Sequence, residues 1–244
     1  MPPIAFLYDN DAHVERKGLV GRQVAGSAFI DAYLRYGEWQ RMVAVARNRA
    51  SADHLAARFR QHPELKGTPR ALSIVPLPAF HEHFFPRPPA TTLHFPFPFE
   101  TEFAWVRHHA GPHAFALSGI THTLSTRGVM QRFCNMVTAP IEAYDTMFCI
   151  SHASVQVLRS AVDNYCAWLK ERHGGAPAMR ARLERVPLGI DTDKFRPPTP
   201  EERSAVRRAL GASDDEVLVL SRCTPSRSTE ASSKQHVARA PRCG

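Results

Sequence analysis

No stretch of this 244-residue sequence approaches the ~18 consecutive apolar residues of a membrane-spanning helix. No basic segment with an apolar signal core stands at its start either. Met1-Pro2-Pro3 runs straight into Ile4-Ala5-Phe6-Leu7-Tyr8, so no secretory leader is expected and the expected location is cytoplasmic. The cysteines, Cys134, Cys149, Cys166, Cys223 and Cys243, are odd in number and show no C-x-x-C or His-paired spacing. The first three read as small core-filling residues rather than disulfide partners or metal ligands. His81-Glu82-His83 and His108-His109 lack the helical i,i+4 geometry and the third ligand of a zinc site, so no metal is expected. A G-x-S-x-G nucleophile elbow is missing, which leaves a serine hydrolase without its nucleophile. There is also no repeat of solenoid length.

What is present is an ordinary globular composition, 43% hydrophobic and 22% charged, able to bury a core. The formal charge is +8. Much of the excess is dispersed, as in Arg47, Arg49, Arg58 and Arg60, then Arg180, Arg182 and Arg185. With no Lys/Arg stripe interleaved with aromatics, nucleic acid is not an expected partner. A basic face suits phosphate groups better, on a nucleotide sugar or on an anionic lipid, the latter implying peripheral contact with the inner membrane face.

The hydrophobic pattern alternates strands with helices. Strands are expected at Ile4–Tyr8, Met42–Ala46, Ala71–Val75, Thr91–Phe95, Ala114–Ile120 and Thr146–Ile150. Residues 80–90, rich in Pro, His and Phe, read as a long loop. The first long helix is expected to turn Val20, Val24, Ala28 and Leu34 inward. Ser51 is expected to cap the next helix, with Leu55 and Phe59 inside. The strands are continuously apolar, as in a parallel sheet covered on both faces. The fold expected is a doubly wound, Rossmann-like α/β domain over residues 1–190, with Phe6, Val43, Val45, Ile74, Leu117, Phe148 and Ile150 in its core. A last short strand and turn are expected at Arg185–Asp191. A hinge with the first helix and strand of a further domain should span 191–220. In 221–244 periodicity ends, and that segment is expected to be a disordered or out-of-frame tail.

Three places could carry chemistry. Gly18, Gly21 and Gly26 follow the first strand at the start of a helix. There, free N–H groups and the helix dipole attract anions, and glycines let a ligand approach. The spacing is not G-x-G-x-x-G, and a plain strand–helix turn is the alternative. His122, with Thr121 before it, sits just past a buried strand, where parallel α/β sheets bind ligands. It could take a proton or bond a sugar hydroxyl, or simply be satisfied by a backbone carbonyl. Ser151 occupies the same place after the next strand, but an N-cap explains it equally well.

Taken in order, these pieces resemble family-4 glycosyltransferases, retaining enzymes with two facing Rossmann domains (the GT-B arrangement). The matching stretches are K-G-L-V-G-R-Q-V-A-G-S-A-F-I-D-A-Y from Lys17 to Tyr33, S-G-I-T-H-T from Ser118 to Thr123, and V-P-L-G-I-D-T-D-K-F-R-P from Val186 to Pro197. The last resembles the family's hinge signature N-G-V-D-x-x-x-F-x-P, with Leu188 in place of asparagine. The resemblance covers about residues 4–220. It implies a nucleotide-sugar donor, a sugar or lipid-linked acceptor and no cofactor. Gly18, Gly21 and Arg22 would face phosphate, and His122 would hold the transferring sugar or the acceptor. It also implies a second domain with an E-x7-E motif and a basic pair, neither of which is in this sequence, so the chain alone is expected to be inactive. Two other readings stay open. One is a sugar-nucleotide epimerase of the same architecture, against which the hinge speaks. The other is a one-domain, non-catalytic binding module.

Overall fold

A computed structural model describes residues 3–14, 21–192, 196–213, 216–222 and 235–241. The chain divides into two compact units, Met1–Leu188 and Gly189–Gly244. In chain order the first unit contains β1 (Ile4–Tyr8), α1 (Asn10–His13), α2 (Gly21–Tyr36), β2 (Arg41–Ala46), α3 (Arg49–Gln61), β3 (Ala71–Pro76) and α4 (Phe80–Phe84). It continues with β4 (Thr92–Phe95), α5 (Glu102–Ala110), β5 (Ala116–Ile120), α6 (Arg127–Thr138), β6 (Thr146–Cys149), α7 (His152–His173) and β7 (Arg182–Arg185).

The seven strands form one sheet in the order β3-β2-β1-β4-β5-β6-β7, and every neighbouring pair is parallel. The first unit is therefore a doubly wound, Rossmann-like α/β fold. The chain winds outward from β1 to β3, then returns to lay β4 on the other side of β1. This reversal places a crevice at the carboxyl ends of β1 and β4, where folds of this kind bind ligands.

Each strand feeds both faces, so alternate residues enter two cores. Phe6 and Tyr8 join Met42 and Ala44 beneath Ile30 and Leu34 of α2 and Leu55 of α3. Ala5, Leu7, Leu93, Phe95, Leu117, Met147 and Cys149 face the opposite way and pack with Phe133 and Met136 of α6 and Leu158 and Val162 of α7. Of the expected core, Phe6, Val43, Val45 and Leu117 are buried, while Ile74, Phe148 and Ile150 are half-buried.

Several local readings are corrected. The inward stripe of α2 is Gln23, Gly26, Ile30 and Leu34, with Val24 and Ala28 on the exposed side; Val20 lies outside the described residues. Asn48, not Ser51, caps α3, accepting from the Ser51 N–H at 2.9 Å, and Ser51 is buried in the first turn. The expected loop at 80–90 contains α4, because Phe80 and Phe84 stack with ring centroids 4.0 Å apart and are both buried. The strand expected at Arg185–Asp191 lies earlier, as β7, pairing Arg182 with Thr146 and Arg185 with Cys149. At the opposite end from the crevice, Asp145 and Arg107 form a fully buried bidentate pair at 2.5 and 2.7 Å. The guanidinium also donates to the Phe115 and Pro140 carbonyls, and the carboxylate accepts from the Leu117 and Glu142 N–H groups.

The second unit holds α8 (Pro200–Ala209), β8 (Glu216–Arg222) and β9 (Gln235–Pro241). Thr199 and Glu202 cap α8 reciprocally, as in a capping box. The backbone of β8 pairs antiparallel with β9, although 221–244 carries no strand-like alternation of side chains. Ladder bonds come from the main chain, which every residue but proline can supply in full. Residues 223–234 and 242–244 lie outside the described residues.

Candidate functional site

The crevice at the switch point gathers side chains from several elements. Tyr8 ends β1, and its ring stacks on His13 of α1 at 4.5 Å with only 7° between the planes. The His13 Nδ1 donates to the Asp9 carbonyl at 2.9 Å, and the Tyr8 hydroxyl meets His54 Nδ1 at 2.8 Å. Burial lowers the His13 pKa to about 4, against the raising effect of the Asp9 backbone, and the Arg58 charge lowers it further. Both His13 and His94 are therefore neutral at pH 7.

His94 lies within β4, in register with Phe6 on β1 and Ser118 on β5. Its Nδ1 shares a hydrogen bond of 3.0 Å with the Ser118 hydroxyl, and its ring neighbours Phe6, Phe29 and Phe148. Burial, then the nearby His13 and His122, push its pKa down to about 3. An imidazole among apolar strand residues is the signal that marks this position in the sequence, and the motif-based reading passed over it.

His122 follows β5 and is half-buried. Burial and then the Arg22 charge lower its pKa, while the backbone of Pro96 raises it. Proline has no N–H, so the Pro96 carbonyl accepts and the imidazole donates. Arg22 thus reaches the field of His122 from the first turn of α2, although 100 residues separate them in sequence. Both are near the opening of the crevice: Gly21 and Arg22 are exposed, and a side chain at Gly21 would meet no atom within 4 Å.

The remaining candidates divide. Gly18 lies outside the described residues. Thr121 is fully buried; its N–H donates to the Phe148 carbonyl at 2.8 Å, and its hydroxyl accepts from the Ile150 N–H at 3.2 Å. It ties the ends of β5 and β6 together. The Ser151 hydroxyl caps α7, accepting from the Ser154 N–H at 3.1 Å in a reciprocal capping box. Gly26 does not serve ligand approach: a Cβ there would collide with the Ala12 carbonyl, so this glycine lets α1 lie against α2. Among the described residues no group of three His, Cys, Asp or Glu side chains is placed to hold a metal ion, and no helix is long and apolar enough to cross a membrane.

No family model matches the chain, and no curated protein matches its sequence. Among solved structures, the chain is similar to the crystal structure of Anabaena Alr3699/HepE in complex with UDP and glucose, at 14% identity and a TM-score of 0.42. That match covers 86% of this chain and 50% of the other, so this chain spans half of that protein's resolved length.

Proposed function

We propose that Met1–Leu188 is the acceptor-side half of a nucleotide-sugar-dependent glycosyltransferase, acting with retention in partnership with a donor-binding domain. What supports this reading is that the Arg22 charge acts on His122, lowering its pKa, where the winding of an all-parallel sheet reverses. The sequence likeness to family-4 transferases, in the Lys17–Tyr33 segment, the Ser118–Thr123 segment and the Val186–Pro197 hinge, supports it independently. The helix end and Arg22 would meet the diphosphate as its negative charge grows in the transition state, which is the role such donors serve in metal-independent transfer. His122, neutral and half-buried, would hydrogen-bond a hydroxyl of the transferring sugar or its acceptor. Substrate contacts on the other side would come from the donor-binding domain.

The test is kinetic. In a two-domain transferase into which residues 1–188 are built, His122→Ala is expected to lower kcat by about tenfold to a hundredfold while acceptor KM changes little, the sign of a contact made mainly in the transition state. Turnover close to that of the parent would leave His122 as a structural residue and remove the site assignment.

A further inference from the structure

Between β4 and α5 the chain runs Pro96-Phe97-Pro98-Phe99-Glu100, and this loop rests directly on the strand that leads to His122. A Cβ at Gly119 would stand 2.6 Å from the Phe97 carbonyl oxygen and 2.7 Å from the Phe99 nitrogen, so only glycine admits the loop at this height. The Ile120 N–H donates to the Phe97 carbonyl at 3.3 Å, two residues before His122. On its other side the same segment is held by Thr121 through Phe148 and Ile150.

The loop is clamped by charge. The Glu100 carboxylate pairs with Arg47, at the end of β2, at 2.8 Å and with Arg132 of α6 at 3.4 Å. Arg47 also pairs with Asp9 at 2.8 Å. Arg132 donates to the Pro98 carbonyl at 3.1 Å, and both guanidiniums lie over the Phe97 ring, at 5.8 and 5.2 Å from its centroid. Charge-assisted bonds and cation–π contacts of this kind fix a loop more firmly than neutral contacts. Asp9 and Arg47 directly follow the carboxyl ends of β1 and β2, and Glu100 joins the two arginines.

We infer that Glu100 is a positioning residue for His122: by tying Arg47 to Arg132 it seats the Pro96–Phe99 loop on Gly119 and Ile120, and so sets where the imidazole meets the Pro96 carbonyl. The role rests on His122 being the histidine of the proposed site. The groups facing His122 are Arg22 from α2 and His94 from β4, and neither is altered when Glu100 changes.

The experiment is a histidine-ring NMR titration of the 244-residue chain, with the His122 signals assigned by their loss in His122→Gln. Glu100→Gln keeps the side chain's shape and removes the charge that joins the arginines. With the Pro96 contact loosened, His122 loses the influence that raises its pKa, so its midpoint is expected to fall and its ring-nitrogen signals to shift toward the other tautomer. The exposed His108 and His109 signals should stay in place. Arg132→Lys, which keeps the charge but cannot serve Pro98 and Glu100 together, should move His122 the same way by a smaller amount, and decides the matter if Glu100→Gln does not fold. Variants that melt at lower temperature while the His122 midpoint and tautomer match the parent would overturn the inference. The readout needs no turnover, so its failure leaves the transferase reading standing, whereas failure of the kinetic test would leave Glu100 positioning a histidine with no part in transfer.

Discussion

Charged groups in this fold divide sharply by role. Arg107 and Asp145 are sealed at the amino ends of β5 and β6 with their polar atoms met by each other and by backbone. A pair of this kind is worth little against a well-packed apolar substitute, but breaking it strands a charge. Asp145→Ala is therefore expected to cost about 3–5 kcal/mol, read as a lower urea midpoint with an unchanged slope. A loss below ~1 kcal/mol would mean that Arg107 finds water or another acceptor. Arg22 is the opposite case, an exposed cation facing an imidazole. Arg107 is sealed within the domain, and Arg22 stands exposed at its surface.

At the scale of elements, helix contacts explain residues that motif reading assigns to ligands. Gly26→Ala should push α1 away from α2, because the new methyl meets the Ala12 carbonyl rather than a flexible side chain. The expected loss is about 1–3 kcal/mol, measurable as a lower Tm; an unchanged Tm would show that α1 yields freely. Most strands were legible in sequence to within a residue or two, since Met42–Ala46 or Thr146–Cys149 could hardly be buried otherwise. The α2 stripe was not legible, because its inward face includes Gln23 and Gly26, and an apolar count turns toward Val24 and Ala28. Helix α4 was hidden by flanking prolines, although Phe80 and Phe84 stand four apart. His122 could be proposed from its place after a buried strand. His94 and His13 could not be linked to it, because their meeting depends on the winding order of the sheet.

For the molecule as a whole, the crevice holds neutral histidines that acid must charge. His13 and His94 have folded pKa values of about 4 and about 3, below the unfolded value of about 6.5. The unfolded chain then binds more protons in this range, so stability is full above pH ~6.5 and falls as pH drops toward 4 and 3. His13 alone contributes on the order of 3 kcal/mol. Urea midpoints at pH 7 and pH 4.5 should differ accordingly, and the difference should shrink in His13→Gln; a pH-independent midpoint in the parent would mean that these rings are solvated. What the crevice binds can be measured directly. The most direct measurement is a titration of the isotope-labelled 244-residue chain with a nucleoside diphosphate sugar, a nucleoside and inorganic phosphate in parallel, following the amides of Gly21 and Arg22 and the ring of His122. The proposed site requires weak, saturable shifts at these three residues with the diphosphate sugar, little effect from the nucleoside, and loss of the response in Arg22→Ala. Shifts confined to residues away from the β1–β4 crevice, or none in this trio, would contradict it.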